Sequence, residues 1–349
     1  MRPADPPLAK MVTVFATPSP FTNFCFFLVQ HLLRVTLRDF DQIVASEFDH
    51  LKRGWSSRKH ENVLLFCDCP ERRLVETYLR TRGRALIILD DPLQISAFLA
   101  SVGNLPPPWA VRTAEQTITT IADLVARDHA LVINRGHQWT ASGFLKTVAD
   151  FYSIEIVDAH IEALFRSISN PSPSPDISLE DLYLRNWPTA TPLADAAPKG
   201  PFGMFSSLFD QMRRRLTGVA DDAIDWPTSM FINTACPEQP FNGSVDLTGP
   251  ARCVIYGPYL HLPAGSWSLN ATIGISENYS GNQMTVDVFQ AAILAQQTFP
   301  LPPEGQFDLT ANFVVSEPRK AIELRFMILQ GAIEGKLTLT GVTISRQDS

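Results

Sequence analysis

The sequence predicts two domains of different class, an α/β domain built on a largely parallel sheet followed by an antiparallel β-sandwich, and three observations predict it. From Met11 onward short apolar runs alternate with helical stretches, the rhythm of a three-layer α/β domain. At 169–175 the chain reads Ser-Asn-Pro-Ser-Pro-Ser-Pro, a composition that favours an extended spacer over packed structure. From 249 to 344 the apolar residues fall on every second position, the period of strands with one buried face. The expected division is a disordered start at 1–10, the α/β domain at 11–168, a Pro/Ser linker at 169–224 carrying an amphipathic helix at 201–216, and the sandwich at 225–349.

Within the first domain, apolar strands are expected at 12–16, 62–67, 84–89 and 130–134. Helices are expected at 21–37, 71–82, 93–102, 114–127, 143–152 and 158–168. Prolines and aspartates at the strand ends, in Thr17-Pro18-Ser19-Pro20, Asp68-Cys69-Pro70 and Asp90-Asp91-Pro92, supply the turns that start helices. In the linker, Phe202, Phe205, Leu208, Phe209, Met212 and Leu216 form one helical stripe. Arg213-Arg214-Arg215 near its carboxyl end suits the helix dipole. Such a helix either binds a protein partner or an anionic membrane surface, or buries its stripe at a domain junction.

In the sandwich, Trp267, Leu269, Ala271, Ile273 and Ile275 share one strand face. Phe307, Leu309, Ala311, Phe313 and Val315 repeat the pattern, as do Ile322, Leu324, Phe326 and Ile328. Turn clusters at 262–265, 280–282, 300–305 and 316–318 separate them as successive antiparallel strands, with 229–233 as the opening strand. The register places Trp267 in the core.

Composition narrows the function classes. The chain has 349 residues, 45% hydrophobic and 19% charged, which is enough for two packed domains and unlike a disordered protein. A net charge of -7 argues against nucleic acid, whose phosphates require clustered Lys and Arg. Five cysteines without a repeated spacing form no disulfide framework, so a reducing, cytoplasmic setting is expected. Cys67-Asp68-Cys69 is too close for a zinc knuckle, and no metal or cofactor is expected. Neither a signal peptide nor a membrane-spanning run is apparent.

The strand, proline turn and helix at the front, the later strand ending in Asp-Pro at a helix start, and the closing helices through Ala149-Asp150-Phe151-Tyr152 and 158–166 resemble the bacterial sulfotransferase-like branch of the P-loop fold. The resemblance implies a nucleotide-sulfate donor gripped at the first turn, which places Ser19, Thr22 and Asn23 as donor-binding candidates. Pro18 and Thr22 match that family's turn. Ser19 stands where its basic residue falls and Phe21 where its glycine falls. In the second motif Asp90 stands at the arginine position and Phe98 at the serine position, and carboxylates repel a phosphate.

Other chemistry is open to the strand-end turns, where His137, Arg135, Asp68 and Asp91 are acid/base or ligand-gripping candidates. His137 or Asp91 would serve as general base on an acceptor hydroxyl. Alternatively, Asp68 and Asp91 cap the helices that follow them.

The segment 255–267 resembles the opening of carbohydrate-binding jelly-roll modules. That resemblance makes Tyr256, Tyr259, His261 and Tyr279 the aromatic part of a sugar site, since ring faces stack on pyranoses. Glu323 and Arg325, two apart and so on one face, with Asn270 and Thr272 on another strand, supply its polar part. The leading expectation is a bacterial accessory protein of surface-polysaccharide synthesis or modification, binding a glycan through the sandwich while its transferase-like domain has lost the usual donor site. The alternatives are an active transferase acting on a carbohydrate hydroxyl, and a self-assembling structural protein.

Overall fold

The computed structural model describes residues 11–169, 172–187, 200–219 and 223–347. The expected disorder at 1–10 and part of the expected linker lie outside these residues. The chain divides into two compact units, one of Met1–Gly103 with Thr120–Pro198 and one of Asn104–Thr119 with Lys199–Ser349.

The first unit holds β1 (Met11–Ala16), α1 (Pro20–Thr36), β2 (Asp41–Val44), α2 (Phe48–Ser57), β3 (Val63–Asp68), α3 (Arg72–Leu79), β4 (Ala85–Leu89) and α4 (Pro92–Gly103). After α5 (Pro107–Val125), which begins in the second unit, it continues with β5 (Ala130–Asn134), α6 (Ala141–Phe151), α7 (Asp158–Ile168) and α8 (Leu179–Asn186). The five strands form one parallel sheet in the order β2-β3-β1-β4-β5. Covered on both faces, β3 and β4 are buried along nearly their whole length, which is why they read as unbroken apolar runs. On one side Phe21, Phe24, Cys25, Leu28 and Leu32 of α1 pack with Phe144, Leu145 and Val148 of α6. Tyr152 at the end of α6 ties this layer to the sheet: its hydroxyl donates to Thr13 O at 2.6 Å and accepts the Leu86 N–H at 2.9 Å.

Three boundaries differ from the sequence reading. β2 and α2 were not expected, because β2 has four residues of which only Ile43 is buried, and α2 buries no side chain. α5 starts seven residues ahead of the expected 114, since the prolines at 107 and 108 sit in its first turn, where a missing N–H costs nothing. α8 lies inside the stretch assigned to the linker, yet Leu179, Leu182 and Tyr183 belong to the first unit's core. Ser178 caps this helix, accepting the Asp181 N–H at 2.9 Å.

The second unit opens with the front of α5. A 3-10 turn (Gly203–Phe205) and α9 (Ser206–Thr217) precede β6 (Ala223–Asp225), a 3-10 turn (Thr228–Met230), β7 (Ile232–Asn233), β8 (Ser244–Asp246), β9 (Arg252–Tyr256) and β10 (Pro258–Leu260). The long strands follow: β11 (Gly265–Ser276), β12 (Gln283–Gln290), β13 (Ala292–Pro300), β14 (Gly305–Val315), β15 (Ile322–Ile328) and β16 (Lys336–Arg346). They form two antiparallel sheets. One runs β13-β12-β15-β9-β7 with β10 on β15; the other runs β14-β11-β16-β6 with β8 on β16. Trp267, Leu269, Ala271 and Ile273 are buried from the second sheet, and Met284, Val288, Leu324 and Phe326 from the first. Of the expected opening strand at 229–233, only Ile232–Asn233 is strand, and Ser229 and Met230 end a 3-10 turn. Along β14 the apolar alternation is present, but only Phe313 and Val315 are buried, because this strand forms the sheet's edge.

The stripe of the 201–216 helix is covered. Phe205, Leu208, Phe209 and Met212 are each at most 3% exposed. Among the described residues no helix is long and apolar enough to cross a membrane.

Candidate functional site

In the first unit, β1 and β4 are neighbours whose outgoing connections run to opposite sides of the sheet. Open α/β sheets hold their ligands at such strand ends. Here the turn closes on itself. Ser19 and Thr22 are fully buried. Thr22 Oγ donates to Thr17 O at 2.5 Å and accepts the Ser19 N–H at 3.1 Å, while Ser19 Oγ accepts the Thr22 N–H at 3.1 Å. The Asn23 N–H is taken by Ser19 O at 3.1 Å. The N–H groups that would bind an anion are therefore spent on the helix's own cap. Ser19, Thr22 and Asn23 are brought together as expected, but the two hydroxyls face inward.

Asp90, 2% exposed, stands beside them, its N–H donating to Thr17 Oγ at 2.9 Å. Burial raises its carboxyl pKa, and Arg135 opposes that rise from 3.3 Å. Arg135 also binds Glu180 through two hydrogen bonds of 2.6 and 3.0 Å. One guanidinium is thus shared by two carboxylates, and no positive charge is left over for a phosphate or sulfate.

Asp91 caps α4, its Oδ1 accepting the Leu93 N–H at 3.0 Å. Asp68 does not cap α3, whose N-cap is Glu71. Two strands, β1 and β4, separate Asp68 on β3 from the end of β5, a distance of roughly 14 Å. His137 is exposed on the loop after β5 and lines a cleft of about 520 Å³ with Arg135, Trp139, Asp176, Glu180 and Asp181. Asp91 is not among its lining residues, so the two base candidates do not share this cleft. Among the described residues no three His, Cys, Asp or Glu side chains are grouped as a metal site requires, and Cys67 is a core residue.

In the second unit, four of the sugar-site candidates do come together. With Met284, Val286 and Val288 facing the core, the period of two puts Asp287 and Phe289 of β12 on the outer face. They pair with Arg325 and Glu323 of β15 on that face. Arg325 Nε and Nη2 lie 2.7 and 2.8 Å from the two oxygens of Asp287, and its guanidinium stacks 3.9 Å over the Phe289 ring. Tyr259 and Glu323 are neighbours that influence each other's ionisation. Tyr256 meets Tyr259 edge to face, with centroids 6.0 Å apart. Burial raises the pKa of Glu323, partly offset by Arg325, and burial with the Glu323 charge pushes the Tyr259 phenol up to about 12.

Tyr259 is held in an uncommon backbone conformation, φ 64, where a bulky residue is strained. Arg112 of α5 secures it: its guanidinium lies 5.9 Å from the Tyr259 ring and 4.6 Å from that of Trp109. Arg112 Nε also donates to Pro258 O at 2.9 Å, and Nη2 donates to Met230 O. Just before this, Gly257 has φ 125, and a Cβ there would lie 3.2 Å from Met230 O, so glycine is required.

The other candidates lie elsewhere. His261 is 7% exposed and turned into the protein, its Nδ1 2.7 Å from Glu115 Oε2. Arg215 Nη1 reaches Glu115 Oε1 at 2.5 Å and Nη2 donates to His261 O at 2.7 Å, so this histidine belongs to a buried ion cluster joining α5, α9 and the loop after β10. Burial alone would raise the Glu115 carboxyl, but His261 and Arg215 bring it down to about 2. Tyr279 is 77% exposed, ahead of the Gln283 end of β12, whereas Glu323 pairs with Phe289 near the other end, roughly 20 Å along the strand. Asn270 and Thr272 lie on the other sheet, where Thr272 Oγ donates to Asp308 Oδ1 at 2.7 Å. Asp287, Phe289, Trp109 and Arg112 were missed in the sequence. The alternating Thr285, Asp287 and Phe289 against Met284, Val286 and Val288 was a usable signal for the first two; for Arg112, 146 residues from Pro258, there was none.

No family profile matches the chain, and no curated protein matches it. Among solved structures it is similar to a xylan-binding module, at 8% identity over 36% of this chain and 97% of that one, with a TM-score of 0.26. It is likewise similar to a carbohydrate-binding module in complex with β-1,4-galactotriose, at 10% identity over 36% of this chain and 83% of that one, TM-score 0.24. A mouse sulfotransferase complexed with PAP shares 14% identity over 48% of this chain and 67% of that one, TM-score 0.33.

Proposed function

We propose that this protein binds a glycan on the outer face of the sandwich sheet that carries β12 and β15. The observation behind this reading is the grouping of Tyr256, Tyr259, Glu323 and Arg325 around the Asp287–Arg325 pair. Half-buried tyrosine rings offer faces for a pyranose, and a carboxylate beside a guanidinium offers acceptors and donors for vicinal hydroxyls. Asp287 and Phe289 fix Arg325 in place, so little side-chain entropy is lost on binding.

The α/β unit, in this reading, is a transferase-like domain without its donor site. Its hydroxyls are sealed at Ser19 and Thr22, and the Arg135 guanidinium beside them is neutralised by Asp90 and Glu180. The role that fits both halves is that of an accessory protein in bacterial surface-polysaccharide synthesis or modification, acting in the cytoplasm by binding.

The experiment is calorimetric titration of the full chain with a panel of neutral and acidic oligosaccharides, alongside nucleotide sulfate donors. The expected result is saturable binding of a glycan that disappears in Tyr256→Ala, with no response to the nucleotides. Absence of binding across the glycan panel, or binding indifferent to Tyr256→Ala, would overturn the sugar site. A nucleotide response would overturn the lost donor site.

A further inference from the structure

The first unit contains a second cavity, remote in character from the strand-end turn. A groove of about 420 Å³ runs beneath α2, lined by Leu51 and Trp55 of that helix, Leu65 of β3, and Leu74 and Tyr78 of α3. Its size and apolar lining are those of a small-molecule site rather than of a packing defect. The helix above it is lightly seated: Leu51 packs against Ile43, Ala45, Val63 and Leu65, and the Phe48 N–H donates to Glu71 Oε2 at 2.9 Å. Gly54 lies so close to Ile43 that a Cβ would approach Ile43 Cγ2 to 2.7 Å, while none of the α2 residues is fully buried. Trp55, 39% exposed, lines the groove without being buried in the core.

The charge of the lining is one-sided. In a chain of net charge -7, the charged residues lining the groove are Lys52 and Arg84, both cationic. Arg84 is held in position, with Nη1 donating to Phe151 O and to Ser153 Oγ at 3.3 Å. The remaining polar groups are hydroxyls, among them Thr13, Thr77 and Thr81. An apolar slot with fixed positive charge and no carboxylate matches a ligand with a hydrocarbon body and an anionic head.

We propose that this groove binds a single-chain carboxylate amphiphile, a medium-chain fatty acid, with its tail against Leu51, Trp55, Leu65 and Tyr78 and its carboxylate drawn to the cations of the lining. The site is independent of the sugar face.

The test is calorimetric titration of the full chain with decanoate, 1-decanol and decyltrimethylammonium, each below its aggregation concentration. Decanoate should bind once per chain with a negative heat-capacity change, about tenfold tighter than decanol, and the cationic amphiphile should bind weakest. Lys52→Glu should weaken decanoate by about tenfold and leave decanol unchanged. Lys52 is exposed on a helix without buried side chains, so the variant should keep its fold, and its melting curve checks this. Thr77→Trp, which fills the groove from its rim, should weaken decanoate and decanol alike. Equal binding of all three probes, no saturable binding, or decanoate affinity unchanged in both variants would overturn the proposal.

Discussion

Arg325 holds Asp287 through two parallel hydrogen bonds of 2.7 and 2.8 Å, across neighbouring strands and on the outer face of the sheet. Asp287 is 2% exposed although it points away from the core, because the guanidinium and its neighbours cover it. Removing the cation strands a buried carboxylate. Arg325→Ala should cost about 3 kcal/mol in denaturant unfolding, and Asp287→Leu combined with Arg325→Met should recover most of it.

The proposed glycan site predicts a separation between folding and binding. Glu323→Gln and Tyr256→Ala touch half-buried side chains and should leave the melting temperature within a few degrees of the parent while reducing glycan affinity at least tenfold. Because burial raises the Glu323 carboxyl above its ordinary 4.5, affinity should fall on acidification, beginning above pH 4.5. Titrations at a series of pH values, repeated on Glu323→Gln, check this: the variant should lose the pH dependence.

The Glu115 cluster predicts acid lability of the second unit. With a folded-state value of about 2 against an ordinary 4.5, Glu115 contributes stability that is present above pH 4.5 and is lost as pH falls toward 2. The expected loss is about 3 kcal/mol across that window. Glu115→Gln should be less stable at neutral pH and should show a flatter decline between pH 4.5 and 2, measured by chemical denaturation at each pH.

The sealed turn predicts that its hydroxyls serve stability. Thr22→Val removes a donor to Thr17 O and an acceptor for the Ser19 N–H, both buried, and should cost about 2 kcal/mol. Phe21→Gly should not create nucleotide binding, because Asp90 and Glu180 still claim Arg135.

Charge placed on the α9 stripe tests how that helix is used. Phe205→Glu and Phe209→Glu would bury a charge where the side chains are 0% and 3% exposed, so both should unfold or strongly destabilise the chain. A folded variant that merely changed its solution mass would speak for self-assembly instead.

What was legible in the sequence were features fixed by local periodicity. The long strands β11 and β15 announce themselves through a period of two, α9 through its helical stripe, and the turns through proline and aspartate. β2 and α2 carry too little buried surface to leave such a trace. α8 was hidden by the proline-rich stretch ahead of it.

By itself the sequence determined the class of each half, its buried faces, and the pairing of Glu323 with Arg325 on one side of a strand, because side-chain direction along a strand follows from backbone geometry alone. Only the tertiary structure decided which of the aromatic and polar candidates meet. It turned His261 inward to Glu115 and left Tyr279 at the far end of β12. It set Asp287 opposite Arg325 and brought Arg112 across 146 positions to Pro258, beside Tyr259. Such contacts depend on strand register and on which helix covers which edge, and these are settled by the packing of the whole unit rather than by any neighbouring residue.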